Sequence, residues 1–414
     1  MTDRLRCLSA LVQDGALSLL FLLLPFSKAV AEISSSLLIL GWLCDRCNPR
    51  TRRETIWLRP EVRPAAWALA VCVGAFALSI LVSTDRILSL NGFVNKWLEY
   101  LLLCVAVADL SVRPGVAKRC GVFMVWSTLL VAFEAITQEL TGKGPLRGYP
   151  LMVYERMTGP YENPIDLATY LLVAIPFLIA LTGYVRRVAR VGVWGVVAVA
   201  TGCLIRTEAQ GAWIGFAVAL GCGCWLSRWL RRRFLAFLVL GAGLGAAILV
   251  PTGGWPRVTT LVDRGMQDRW FMWQAAWGMI RARPLLGHGL NTFMANYLTY
   301  WVGGEQQPRY AHNCYLQVWA ETGLIGLVAF VWLLAQLGRR WLLGVRRMAD
   351  GPPRALLAAL IAGLTGFLVQ AGIDTNLYSL RHAVFFWTLA GLALGLSEQG
   401  VDTTEQRTAP GRSA

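Results

Sequence analysis

Apolar residues run through this chain in long blocks broken by short polar joints. "LVQDGALSLLFLLLPF", "AAWALAVCVGAFALSILV" and "ALLAALIAGLTGFLVQAGI" are nearly free of charge. Each is roughly the length a helix needs to cross a bilayer core. The pattern predicts about twelve such helices, at roughly 10–27, 30–44, 64–83, 94–110, 120–138, 165–184, 191–205, 211–227, 234–251, 313–337, 354–374 and 382–397. The fold class expected is an all-α polytopic membrane protein. Residues 1–251 form the first nine transmembrane helices, 252–312 one larger loop with short amphipathic helices, 313–397 the last three helices, and 398–414 a tail.

Composition agrees. Hydrophobic residues make up 56% of the chain and charged residues 15%, where a soluble domain is nearer a quarter charged. A net charge of +15 suggests nucleic acid in a soluble protein, but here its distribution gives it another meaning. Every second joint is basic: "DRCNPRTRRETIWLRPEVR", "VRPGVAKR", "VRRVAR", "RWLRRR" and "GRRWLLGVRRMADGPPR". About 25 of the 39 Lys and Arg fall in these joints and the two tails, against about 13 on the other side. The positive-inside bias places both termini in the cytoplasm. Membrane lipids, not nucleic acid, are the partners this implies. No small-residue cleavage motif follows the first apolar run, so it is expected to stay as a span. Most of the ten cysteines lie in spans, and Cys44 and Cys47 lack the second half of a zinc site.

Two outer segments are long. One is "ELTGKGPLRGYPLMVYERMTGPYENP"; the other is 252–312. Within the second, "DRWFMWQAAWGMIRARP" places Trp270, Trp273 and Trp277 at helical spacing, which suits an amphipathic helix at the membrane interface. A Gly-flanked turn and a second short helix are expected in "LLGHGLNTFMANYLTYWV". All three histidines, His288, His312 and His382, fall on this outer side. They are scattered without metal-ligand spacing, and no DxD, GxGxxG or GxxxxGK[ST] occurs. No metal and no cofactor is expected.

His312 stands where a polar loop becomes an apolar helix, and Asn313, Gln317 and Glu321 follow on one helical face. Polar groups at that depth serve helix–helix hydrogen bonding or a wet cavity. His312 differs from the rest of the face because it meets water, where an imidazole can act as general base. Arg156, Arg206, Arg264 and Arg269 lie on the outer side against the orienting bias. Guanidinium groups fork onto phosphate oxygens and can stabilise a departing pyrophosphate as its charge builds. Together these residues suit group transfer from a lipid-linked phosphate donor, or else plain headgroup anchoring by the arginines.

The motifs extend the reading. "AHNCYLQVWAETGLIGL", "DRWFMWQAAWGMIRARPLLGHGLNTF" and "RMTGPYENPIDLATYL" resemble signatures of the O-antigen ligase/polymerase superfamily of bacterial inner-membrane glycosyltransferases. The resemblance is specific around 250–330 and supportive elsewhere, including "LPFSKAVAEISSSLLILGWL". It implies a GT-C-like helical bundle with a periplasmic crevice and one larger periplasmic loop. It also implies an undecaprenyl-diphosphate-linked glycan as donor, and no metal. His312 takes the place of the family's catalytic base, and Arg269, or less securely Arg264, that of its loop arginine. The same resemblance suggests Arg156 as a further donor contact and Asn313, Gln210, Tyr161, Asn163 and Asp166 as supporting residues. The segment "RTEAQGAW" departs from the family's Ser-Arg-Gly-Ala-Trp, with Gln210 in the Arg place. If this stretch is helical, Arg206, four residues earlier, shares a face with Gln210 and is expected to take over the phosphate contact. Asp166 is expected either to serve the site or merely to cap its helix.

The function expected from the resemblance is an O-antigen ligase moving glycan from undecaprenyl diphosphate onto a lipid A–core hydroxyl. A polymerase on the same carrier shares the mechanism and is the alternative. A transporter for the lipid-linked glycan would show internal repeats with interrupted helices, and no convincing repeat is present.

Overall fold

The computed structural model describes residues 2–47, 55–151, 156–249, 254–304, 306–307 and 309–408, with the side chains of 2–8, 240–267 and 400–408 outside the description. The described chain is almost entirely helical. Its first half contains α1 (Thr2–Leu23), α2 (Lys28–Cys47), α3 (Arg63–Leu81), α4 (Arg86–Gly92), α5 (Glu99–Ser111), α6 (Val116–Thr141), α7 (Pro164–Leu181) and α8 (Arg187–Arg206). The second half contains α9 (Gln210–Leu226), α10 (Arg228–Leu249), α11 (Gly254–Ala282), α12 (Phe293–Tyr297), α13 (Cys314–Arg347), α14 (Pro352–Gln370) and α15 (Leu380–Thr408). A π-helical stretch, Phe93–Leu98, joins α4 to α5.

Each apolar block of the sequence lies on one of these helices. Among the described residues, seven helical segments are long and apolar enough to cross a membrane: α3, α6, α7, α8, α13, α14 and residues 380–399 of α15. The chain is thus an integral membrane protein of helical type. The stretch expected to hold short amphipathic helices differs: Gly254–Ala282 is one continuous helix of 29 residues, followed by the five-residue α12. No proline falls between Pro256 and Pro284 to stop it. Helix α13 likewise runs ten residues past its expected end, to Arg347. Its last turns stay buried through Trp341, Gly344 and Val345.

Helices α7 and α15 form the centre, with 89% and 94% of their apolar windows buried. Around them α14 packs on α9 and α7, α15 on α5, α13 on α3, and α1 on α2. Lipid tails are as apolar as leucine, so helix association in a membrane depends on close packing, which small residues permit. Gly215 of α9 and Gly366 of α14 face each other so closely that a Cβ on either would lie within 2.5 Å of the other's carbonyl oxygen. Gly391 and Gly395, one turn apart on α15, lie equally close to the Cys104 and Ala108 carbonyls of α5.

The helix ends that face the site are defined by local chemistry. Asn163 caps α7 by accepting from Ile165 N–H, with Pro164 at the first helical position. Asn313 caps α13, accepting from Tyr315 and Leu316 N–H. Helix α13 then breaks at Gly323, whose φ of 69° and ψ of −175° lie far from helical values.

Candidate active site

The break in α13 is filled by the segment after α11. Leu324 N–H donates to Pro284 C=O at 2.8 Å, and in return His288 and Gly289 N–H donate to the Ala320 and Glu321 carbonyls at 3.0 and 2.8 Å. An inserted chain thus satisfies the groups a helix break orphans. Two glycines make room: a Cβ on Gly323 would sit 2.1 Å from Leu285 O, and one on Gly287 2.4 Å from the Glu321 carbonyl. The "PLLGHG" and "ETG" motifs are therefore two halves of one joint.

Glu321 locks that joint. Its buried carboxylate accepts from Asn291 N–H at 2.8 Å, Phe293 N–H at 3.2 Å, Gln317 Nε2 at 3.1 Å and Tyr378 O–H at 3.0 Å. Gln317 in turn accepts from Ala311 N–H. The polar face below His312 is structural. His288 is structural too, with Nε2–H on the Met279 carbonyl at 3.1 Å. Burial chiefly holds its imidazole below the ordinary value, and Arg283 adds to this against the Met279 bond.

His312 sits at the edge of this scaffold in a strained backbone conformation, φ +47°, which surrounding contacts must impose. Its Nδ1–H donates to Asp374 Oδ1 at 3.1 Å. Asp374 lies in the loop between α14 and α15, and that loop is tied to the start of α13. Cys314 N–H donates to Ala371 C=O at 2.8 Å, and Cys314 Sγ to Asp374 C=O at 3.2 Å. Burial pushes the Asp374 carboxyl up, but His312, Thr375 N–H and the charge of Arg269 together outweigh it and hold it below the usual carboxylate range. An ionised carboxylate on Nδ1–H leaves Nε2 as the nitrogen that can accept a proton.

Arg269, on α11, is half-buried and within electrostatic range of both Asp374 and Arg156. Its Nε is buried without a hydrogen-bond partner in the structure. Arg156 donates through Nε to the Thr207 carbonyl at 2.8 Å. Burial lowers its pKa, Glu208 opposes this, and Arg269 adds to it; an arginine nevertheless stays charged. The structure thus brings His312, Arg269 and Arg156 into one neighbourhood from three separate parts of the chain. The Arg264 side chain lies outside the described residues.

Arg206 is placed differently from expectation. It forms an ion pair with Glu139 of α6. The stretch to Gln210 is not helical: α8 ends at Arg206, Glu208 adopts φ +52°, and α9 starts afresh at Gln210. Thr207 secures the turn, donating to Leu204 C=O and accepting from Ala209 N–H. The shared-face argument for Arg206 and Gln210 therefore fails, because the four-residue spacing spans a hairpin between two helices.

Tyr161 and Asp166 belong to an adjoining cluster. Tyr161 is buried, stacks on His382 with centroids 5.4 Å apart, and carries the Arg381 guanidinium on its ring at 4.4 Å. His382 Nε2–H donates to the Asp166 carbonyl at 3.0 Å, and its Nδ1 lies 3.2 Å from Ser379 Oγ and 3.4 Å from Asp166 Oδ1. Asn163 rather than Asp166 caps α7.

Sequence reasoning missed Asp374. Its signal was an isolated acid in the short polar joint "GIDTNLYS" between two apolar blocks, read only as a connection.

Residues 195–331 match a family model described as O-antigen ligase. No curated protein matches the sequence. One solved structure, described as showing structural coordination of polymerization and crosslinking by a peptidoglycan synthase complex, has a chain 17% identical to this one. The alignment covers 91% of this chain and 97% of that one, at a TM-score of 0.32, a superposition too loose to carry an argument. The segment that holds Arg206, Arg269 and His312 is therefore similar to the O-antigen ligase family, as its motifs indicated.

Proposed function

We propose that this protein is a glycosyltransferase of the O-antigen ligase type, acting at the periplasmic face of a bacterial inner membrane. The donor is a glycan on undecaprenyl diphosphate, and the acceptor is a hydroxyl of lipid A–core. The observation that carries the reading is the His312–Asp374 pair with Arg269 and Arg156 beside it.

In the proposed step, His312 Nε2 takes the proton of the acceptor hydroxyl while its oxygen forms a bond to the anomeric carbon. The bond from that carbon to the phosphate oxygen breaks, and undecaprenyl diphosphate leaves with the electron pair. Asp374 holds the imidazole tautomer and stabilises the imidazolium that forms. Arg269, with an unused donor, and Arg156 receive the charge that develops on the diphosphate. In this reading about twelve helices span the membrane with both termini in the cytoplasm, and residues 252–312 form the periplasmic segment. A polymerase joining repeat units on the same carrier uses the same groups.

The test is a lipopolysaccharide gel beside a carrier-lipid analysis in the source strain with the gene deleted. The deletion strain is then complemented with wild type or His312→Ala. Long polymer accumulating on the carrier over a bare core supports the ligase; single repeat units on the core support the polymerase. Full complementation by His312→Ala refutes the catalytic assignment.

A further inference from the structure

The loop between α14 and α15 carries two side chains that each meet a histidine. At one end Asp374 holds His312; at the other Ser379 meets His382 at 3.2 Å. His382 in turn supports Asp166, in the first turn of α7. The Asp166 and Asp374 carboxylates are close enough for their charges to interact. Two histidine–carboxylate pairs therefore share one wall, but they are built oppositely. In the first pair the carboxylate is the more enclosed partner, 12% exposed against 25% for His312. In the second the histidine is enclosed, at 1%, and the Asp166 carboxylate is 28% exposed.

Hydrogen-bond arithmetic sharpens the contrast. His382 gives its Nε2–H to the Asp166 backbone carbonyl. In the neutral ring Nδ1 is then an acceptor, and the Ser379 hydroxyl is the donor within reach of it. No ring proton remains for the Asp166 carboxylate, 3.4 Å from Nδ1. The Nε2–H bond anchors Asp166 through its backbone, and the carboxylate, 28% exposed, keeps lone pairs to offer to incoming O–H groups. Its backing is rigid. Tyr161 stacks on His382, and Arg381, over the Tyr161 ring, donates to the Pro25 and Pro160 carbonyls.

We propose that Asp166 is the acceptor-sugar contact of this site: its carboxylate receives hydroxyl groups of the incoming glycan, and His382 acts as its positioning residue. The charge layout favours this division. Arg269 and Arg156 make one side of His312 suitable for a diphosphate, whereas a carboxylate repels one and accepts from neutral polyols. The donor is then held by the arginines and the acceptor by Asp166, both Arg269 and Asp166 lying within electrostatic range of the Asp374 that holds His312. The assignment rests on the glycosyltransferase reading above but concerns carbohydrate binding, which can be measured without turnover.

The experiment uses the full chain in nanodiscs. Delipidated core oligosaccharide is titrated by saturation-transfer NMR against wild type, Asp166→Asn, His382→Gln and the rim control Glu162→Gln. Transfer kinetics with the undecaprenyl-diphosphate donor are measured in parallel. Loss of the acceptor's charge, and of one of its two accepting oxygens, predicts that Asp166→Asn weakens oligosaccharide binding and raises acceptor KM about 10- to 100-fold. Donor KM stays within about twofold, His382→Gln gives a smaller change in the same direction, and Glu162→Gln none. Thermal melting shows that each variant is folded. If folded Asp166→Asn binds oligosaccharide as wild type does, or if its donor KM rises instead, the assignment is overturned; wild type that binds no oligosaccharide overturns it as well. Wild type that binds oligosaccharide through Asp166 yet transfers nothing would sink the ligase reading and leave the sugar site standing.

Discussion

Replacing Asp374 by asparagine separates charge from geometry in the His312 pair. Asp374 Oδ1 accepts from both His312 Nδ1 at 3.1 Å and Thr375 N–H at 2.8 Å. An asparagine in the same rotamer keeps a carbonyl oxygen at that point. Asp374→Asn therefore retains both bonds and the imidazole tautomer, and removes only the negative charge. With charge centres about 4 Å apart and an effective dielectric of about 20, the carboxylate stabilises an imidazolium by about 4 kcal/mol. The side chains are 25% and 12% exposed, so water screens part of this. Taking about half leaves about 2 kcal/mol, roughly a 30-fold effect on rate. Asp374→Ala also removes the hydrogen bond and frees the ring to change tautomer, which deepens the loss to roughly 100- to 1000-fold. The assay is the initial rate of glycan transfer by purified protein at saturating donor and acceptor, with melting curves matched beforehand. Asp374→Asn within about threefold of wild type, beside an inactive His312→Ala, would mean that Asp374 only holds its loop. Asparagine and alanine variants impaired equally would mean that the charge accounts for the whole effect and that the hydrogen bond and tautomer add nothing.

Four other outcomes follow from the same structure. Gly323→Ala forces a side chain onto the Leu285 carbonyl at a φ of 69°; it should lower stability by about 3–5 kcal/mol, measured as lost monodisperse protein and a lower Tm. Arg269→Ala should cut kcat by about 100- to 1000-fold with little change in Tm, because in the proposed reaction its guanidinium serves the leaving group. Arg206→Ala should instead lower Tm by stranding Glu139, and Arg206→Ala/Glu139→Ala should recover much of that loss; an unchanged Tm in the single variant contradicts the structural role. The buried Arg340–Glu398 pair should behave similarly on a larger scale. Glu398→Gln alone should cost about 3–5 kcal/mol, while Arg340→Met/Glu398→Met is close to neutral, as read by thermal melting in detergent.

The sequence by itself determined the class of molecule and singled out His312, the group proposed to react. Apolar blocks of bilayer length leave a helix as the natural way to satisfy their backbone in lipid, so most helices could be placed directly, but not the continuous α11 or the end of α13. The placement of His312 at the boundary between loop and span was equally legible, because polarity changes abruptly there. The motifs around Arg269 and His312 pointed to the family, and the match over residues 195–331 agrees.

Only tertiary structure decided which polar groups meet. Asp374 reaches His312 from 62 residues away, across the whole of α13 and α14, and no local pattern encodes a pairing at that distance. The spacing between Arg206 and Gln210 looked helical because four residues is a helical repeat; a left-handed Glu208 turns it into a hairpin, and Glu139 takes the arginine. The glycines of "PLLGHG" and "ETG" read as ordinary turn signals, yet they are the two surfaces of one joint, since only there do two backbones approach too closely for a Cβ. Periodicity reports what each residue faces within its own helix. Contacts between helices are set by how the bundle closes, and that closure turns dispersed polar residues into a site.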